Sequence, residues 1–243
     1  MIKSLRAART LSGVVNLPGD KSISHRYAML AAISEGTSVF SGFASSRDCH
    51  STLDCLRALG VEVSVSGDTV AIQGRGLSGL KKSRQVLDAG NSGTTIRLLS
   101  GILAGHPFET AITGDSSLSG RPMGRIIRPL QQMGAVVESR DGGLPPLKIR
   151  GGQLKSVRYT LPVASAQVKS CVLLAGLYAE GTTTVSEPGP SRDHTERMLR
   201  ARGVELSSQG LRHIVRGPAH DLTPLDLTVP GDFSSAAYFL VGA

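Results

Sequence analysis

Tryptophan is absent, and 243 residues hold only four tyrosines and five phenylalanines. Single-strand nucleic-acid platforms need aromatics gathered on one face, so this scarcity argues against that class. No apolar run approaches the ~18–20 residues of a membrane span. The opening MIKSLRAART lacks the apolar stretch of a secretory signal. The three cysteines (Cys49, Cys55 and Cys171) lack metal-type spacing. They are expected to be buried thiols of a cytoplasmic protein. There is no P-loop motif, and no H-E-x-x-H among the six histidines, so no metal is expected. Gly74-Arg75-Gly76-Leu77-Ser78-Gly79 fits G-x-G-x-x-G, but no acidic residue lies about 20 positions on. A dinucleotide cofactor is therefore not expected. What is present is 40% apolar residues, enough for one large core or two small ones, and a net charge of +8. That charge admits two partner classes: nucleic acid and small anions.

Self-comparison finds three similar segments, spaced by roughly 70 residues. A basic residue recurs in a first helix at Arg26, Arg97 and Lys169. Another precedes a second helix at Arg47, Arg121 and Arg192. A glycine closes that second helix at Gly60, Gly134 and Gly203. Each unit reads helix, strand, helix, strand, strand. The first helix is apolar nearly all round (Ile96, Leu98, Leu99, Ile102 and Leu103 in the second unit), which places it mid-domain. Strands are expected at Val61–Val65 and Thr69–Gln73, Ala135–Glu138 and Leu147–Arg150, and Val204–Leu206 and His213–Arg216. The triplets Pro18-Gly19-Asp20 and Pro230-Gly231-Asp232 lie about three periods apart. The pattern therefore implies that the chain stops inside the first helix of a fourth unit, as a piece of a longer protein or half of a split one.

All three first helices begin with small polar residues: Lys21-Ser22-Ile23-Ser24, Gly90-Asn91-Ser92-Gly93-Thr94 and Ser165-Ala166-Gln167. Helix starts offer unpaired N–H groups and a positive dipole end, and small residues let an anion approach. Each end contributes only ~0.3–1 kcal/mol. Three related ends on one face, joined by Lys21, Arg26, Arg97, Arg121, Lys169 and Arg192, would suit a small, multiply anionic substrate. Ordinary capping explains any single start, but not a cation recurring in register. His25 and His194 each read equally as a substrate contact or a capped surface group.

The segments Leu17–Arg26, Asp88–Arg97, Gly120-Arg121-Pro122, Ala164–Gln167 and Ser191–Thr195 resemble the 5-enolpyruvylshikimate-3-phosphate synthase family, over the whole chain and in order. The resemblance is to the family's N-terminal half. It implies an α/β fold: an inside-out barrel domain of three pseudo-threefold βαβαββ repeats (about 18–76, 85–152 and 156–217) with buried helices. The domain would span 18–226, while 1–17 and 227–243 would belong to a missing second domain. It implies transfer of the enolpyruvyl group of phosphoenolpyruvate to the 5-hydroxyl of shikimate 3-phosphate. The reaction passes through a tetrahedral ketal and needs no metal or organic cofactor. By motif, Lys21 matches the lysine that contacts both substrates and serves proton transfer. Ser22 and Arg26 match binders of the shikimate ring. Ser165, backbone Ala166, Ser191 and Arg192 match the 3-phosphate site. Gln167 matches the residue under the ring and near phosphoenolpyruvate. Asn91, Gly93, Thr94 and Arg121 match the phosphoenolpyruvate loop and clamp.

Several positions depart from one branch of the family. Ala166 replaces a serine, His194 stands near a tyrosine position, and Leu98 replaces a proline, which leaves glyphosate sensitivity open. The family's catalytic aspartate belongs to the absent half. The chain alone is expected to be inactive, with weakly anchored ends, to work with the other half in cis or in trans, and to self-associate through the exposed cleft face. Neither nucleic acid nor membrane is an expected partner. Two alternatives stay open. One is the sister transferase for UDP-N-acetylglucosamine, although Asp115–Pro122 lacks its reactive cysteine. The other is a basic nucleic-acid module.

Overall fold

The structure is a computed structural model that describes residues 12–242. The first unit comprises α1 (Lys21–Ala32), β1 (Glu35–Ser41), α2 (Arg47–Ala58), β2 (Glu62–Ser66) and β3 (Thr69–Arg75). The second comprises β4 (Leu87–Asp88), α3 (Gly93–Leu103), β5 (Glu109–Thr113), α4 (Ser116–Ser119), α5 (Gly124–Gln132), β6 (Val136–Arg140) and β7 (Leu144–Arg150). The third comprises β8 (Leu154–Lys155), β9 (Arg158–Thr160), α6 (Ala166–Gly176), β10 (Ala179–Ser186), α7 (His194–Ala201), β11 (Leu206–Gln209) and β12 (Arg212–Gly217). Then come β13 (Leu227–Thr228) and α8 (Phe233–Gly242).

Hydrophobic pattern explains which elements lie inside. α3 and α6 set runs of Ile, Leu, Val and Ala between a few polar side chains, and nearly every residue of both is buried. α1 is buried from Ser24 to Ala32 apart from the partly covered Tyr27. α3 and α6 pack closely: a Cβ on Gly101 would sit 2.3 Å from the carbonyl oxygen of Cys171. The amphipathic α2 and α7 expose their charged faces. All three cysteines are buried free thiols.

Three small sheets cover this helical interior, with orders β13-β1-β3-β2, β4-β5-β7-β6 and β8-β10-β12-β11. In each, a short parallel strand joins two antiparallel pairings, and in the third β9 adds a second parallel pairing to β10. The first sheet takes its parallel strand from the end of the chain. Phe40 and Ser41 pair with Leu227 and Thr228. That sheet therefore extends past the expected domain limit of 226. The two Pro-Gly-Asp triplets also meet. Gly19 bridges Gly231, the Asp20 amide donates to the Pro230 carbonyl at 2.8 Å, and the Asp232 amide donates to that of Pro18 at 2.8 Å. The expectation for residues 1–11 lies outside the described residues.

The glycines at 60, 134 and 203 do end α2, α5 and α7, with φ of +85°, +100° and +86°. At each, the glycine N–H bonds back to Arg57, Gln131 or Arg200, and the next N–H to Leu56, Leu130 or Leu199. This double closure is the Schellman motif. It explains why the strands begin after Val61, Ala135 and Val204: those N–H groups are still engaged with the helix. Arg47, expected ahead of its helix, is the first residue of α2 because Ser46 caps it.

Exchanging an interior helical glycine for alanine ordinarily gains ~1 kcal/mol of helix propensity. At Gly101 the contact with Cys171 reverses the sign. Gly101→Ala is expected to destabilise the domain by about 1–3 kcal/mol in denaturant unfolding. A stability gain would show that α3 and α6 do not meet so closely.

Candidate active-site face

The starts of α1, α3 and α6 are each capped by a side chain. Asp20 accepts from the Ile23 amide at 2.8 Å, Ser92 from Thr95 at 3.1 Å and Ser165 from Val168 at 3.4 Å. Ser92 is held from a distance. The Thr95 hydroxyl donates to Ser92 Oγ at 2.7 Å, which leaves Thr95 Oγ1 to accept from Thr52 at 2.7 Å. Thr52 in turn must accept from His25 Nδ1 at 2.7 Å. His25 is therefore the Nδ1–H tautomer, fully buried, with Nε2 unpaired. Burial pushes its pKa down to about 3, against the weaker pull of Asp48. This corrects both expectations for His25: it is neither a substrate contact nor a surface group, but a core residue that braces the start of α3.

The cations interlock across the units. Arg26 is almost fully buried. Its Nε donates to Thr195 Oγ1 at 2.8 Å, Nη2 to Ser170 Oγ at 3.0 Å and Nη1 to the Ser22 carbonyl at 3.0 Å. Burial lowers its pKa to about 10, opposed by the Glu196 charge and reinforced by Arg192. It is therefore cationic at neutral pH. Arg192 is exposed and reaches Ser22 Oγ at 3.3 Å. Lys21, half-exposed, pairs with Asp48 at 2.9 Å. Arg97 Nη1 donates to Gln167 Oε1 at 2.9 Å, and Gln167 Nε2 donates to Thr94 Oγ1 at 2.9 Å, which links the starts of α3 and α6. Arg121 donates to Asn91 Oδ1 at 2.8 Å and to Ser117 Oγ at 3.0 Å, while Asn91 donates to Asp115 at 2.7 Å. Asp115 is held below the usual carboxylate range by that Asn91 bond first. Burial lowers the pKa of Arg97, and the charges of Arg125 and Arg121 lower it further.

The structure thus brings Lys21, Ser22, Arg26 and Arg192 into one linked group. It brings Gln167, Thr94 and Arg97 into a second, and Asn91 and Arg121 into a third. Gly93 joins the last two, since a Cβ there would lie 2.5 Å from Arg97 Nη1 and 3.7 Å from Arg121 Nη1. Ser165 and Ala166 are half-buried at the α6 start, and Ser191 is half-buried in the loop before α7. Lys169 is a correction. Expected among the cations offered to an anion, its side chain is only 1% exposed, and its ammonium lies 2.6 Å from both Glu187 and Glu196. These carboxylates with His213 make a metal-like cluster, and the lysine supplies the cation within it. A cavity of about 410 Å³ with a mainly apolar lining lies between α1 and α7 against Leu225, Leu227 and Pro230. His194 and Ile23 line it, but none of the expected cations or phosphate-binding residues does; the cationic face is open. Asp48, Thr195, Ser170 and Asp115 were missed in the sequence. Asp48, Thr195 and Asp115 lie one residue from a helix start, which could have singled them out; Ser170, a turn into α6, had no such signal.

Interior helices, three outer sheets and an open cationic face made of helix starts define a domain of the enolpyruvyl transferase class. The family model described as EPSP synthase (3-phosphoshikimate 1-carboxyvinyltransferase) matches residues 5–243. The chain is 55% identical over its whole length to the 3-phosphoshikimate 1-carboxyvinyltransferase of Solibacter usitatus, covering 57% of it. It is 54% identical over 99% of its length to that of Shouchella clausii, covering 56% of it. The EPSP synthase structure from Acinetobacter baumannii superposes with a TM-score of 0.90 at 50% identity, covering 95% of this chain and 52% of that one. The chain belongs to the EPSP synthase family. It spans about half the length of the curated relatives it matches. The UDP-N-acetylglucosamine alternative finds no support in these matches.

His25 has a measurable consequence. Its folded pKa of about 3 lies below the 6.5 of a free imidazole, so between those values the unfolded chain binds the extra proton. Its contribution to stability is complete above pH 6.5 and is lost as pH falls towards 3, at up to ~1.4 kcal/mol per unit. Imidazole nitrogen NMR is expected to show a neutral Nδ1–H ring down to about pH 4 while the fold persists. A ring that titrates near 6.5 in the folded chain would contradict this.

Proposed function

We propose that this chain supplies the N-terminal half of the site that transfers an enolpyruvyl group from phosphoenolpyruvate to the 5-hydroxyl of shikimate 3-phosphate. The observation that carries the reading is the set of cations at three helix starts, Arg26, Arg97, Arg121 and Arg192, fixed by hydrogen bonds to neutral groups and in no direct ion pair among the described residues. Both substrates carry a phosphate and a carboxylate, and such a face suits them. Arg26 and Ser22 take the shikimate ring substituents. Ser165, the Ala166 amide, Ser191 and Arg192 take the 3-phosphate. Asn91, Gly93, Thr94, Arg121 and Gln167 face phosphoenolpyruvate.

The chemistry needs more than binding. The 5-hydroxyl oxygen attacks C2 of phosphoenolpyruvate and gives up its proton to a base, while C3 takes a proton from an acid, which gives the ketal. Loss of phosphate from C2 and of a proton from C3 restores the double bond. Lys21, exposed and paired with Asp48, is the group in this half able to carry such a proton. The remaining acid and base come from the other half, in cis or in trans. That half also covers α8, where Phe233, Tyr238, Phe239, Leu240 and Val241 are exposed. Without it, that apolar surface favours self-association.

Two measurements test the reading. In calorimetry the chain binds shikimate 3-phosphate weakly, and Arg26→Ala lowers the affinity at least tenfold, as removal of a charge-assisted contact of ~1.5–3 kcal/mol requires. Phosphate release from the two substrates is expected to be undetectable for the chain alone and restored by adding the complementary half. Turnover by the chain alone, or steeply salt-dependent nucleic-acid binding in place of shikimate 3-phosphate binding, would overturn it.

A further inference from the structure

The loop from Glu187 to Glu196 runs from just past β10 into α7 and carries Ser191 and Arg192. Both of its ends are fastened to a single atom. Lys169 Nζ lies 2.6 Å from Glu187 Oε1 and 2.6 Å from Glu196 Oε1, and all three side chains are 1% exposed. His213 Nε2 lies 3.1 Å from Glu187 Oε1, and Ser208 Oγ lies 2.9 Å from His213 Nδ1. The other Glu187 oxygen, Oε2, accepts the Ser191 hydroxyl. At the far end, Thr195, next to Glu196, accepts Arg26 Nε.

Fold maintenance alone does not require this arrangement. A buried ion pair is weak evidence for stability, because desolvation offsets most of the attraction. Three charges are buried here where an apolar contact would pack as well. What the charges do is directional: Glu187 spends one oxygen on the lysine and turns the other to Ser191. Lys169 sits on α6 one turn below Ser165 and Ala166. The same helix therefore presents its own N-terminus and, one turn further in, fixes the loop opposite.

We propose that Lys169 and Glu187 are positioning residues. They hold the Ser191-Arg192 loop at the spacing from the α6 start that a phosphate group bridging the two requires. The inference rests on the reading of this face as the shikimate 3-phosphate half-site. Its signature is selectivity for the phosphate. Disturbing Glu187 weakens shikimate 3-phosphate, which spans the two sides, and leaves shikimate, which lacks the phosphate, alone. A general loss of structure would weaken both.

The test is calorimetric titration of the chain with shikimate 3-phosphate and, separately, with shikimate. Glu187→Gln keeps the shape and removes the charge. Glu187→Asp keeps the charge but withdraws the carboxylate by one methylene from both Lys169 and Ser191. Circular dichroism establishes that each variant is folded. If Glu187→Gln does not fold, Glu187→Asp alone decides. Either folded variant is expected to lose about tenfold in affinity for shikimate 3-phosphate, the scale of one oriented hydrogen bond to a charged group, with shikimate affinity within about twofold of the unmodified chain. Equal affinity for shikimate 3-phosphate, or an equal loss for both ligands, overturns the positioning role. An unmodified chain that binds neither ligand overturns the functional reading, and the positioning role with it.

Discussion

Three apolar helices packed against one another at the centre of the domain constrain everything else. α3 and α6 meet backbone to backbone at Gly101 and Cys171, and α1 completes the group. Helices buried on all sides cannot tilt or slide without opening cavities, at a cost of about 24 cal/mol per Å³. Their starts are fixed in consequence. Three N-termini held this way make a rigid set of N–H donors, and the His25-Thr52-Thr95-Ser92 chain ties one start to its neighbour through three helices.

The same packing sets the fate of the cations. A basic residue about one turn into each interior helix is drawn out of water. Arg26 meets this with neutral acceptors from the third unit, and its charge is balanced only at a distance, by Glu196 and Asp20. Among the described residues, Arg97 likewise donates to amide and carbonyl oxygens. Lys169 is neutralised by two carboxylates. One register thus yields two available positive charges and one that is used up internally. Arginine suits the first role because its five donors can be partly occupied while it remains charged. A lysine at full burial needs the carboxylates, since its compact charge pays the larger desolvation penalty.

Much of the architecture was legible in the sequence because it rests on local signals. The glycines at 60, 134 and 203 announced three helix ends, and the apolar faces of α3 and α6 announced an interior position. Strand starts were misplaced by a residue or more because the Schellman bonds of Val61, Ala135 and Val204 have no signature beyond the glycine. The repeat also concealed its own exception. The first unit's parallel strand comes from Leu227–Thr228, and no periodicity predicts a strand supplied from the far end of the chain. For the site, motif resemblance located the residues, but not their partners. Asp48, Ser170 and Thr195 come from helices remote in sequence, and nothing in the register distinguishes Lys169 from Arg26 until Glu187 and Glu196 are seen beside it.

The central claim is that the helix starts form one anion-binding face. Backbone amide NMR of the chain, titrated with shikimate 3-phosphate, tests it most directly. The account predicts shifts confined to the amides at the starts of α1 and α6 and in the loop before α7, Ser22–Ser24, Ala166–Val168 and Ser191–Asp193, with the opposite ends of the same helices unmoved. Shifts centred on the apolar cavity between α1 and α7, or spread without preference over the basic surface, would contradict it.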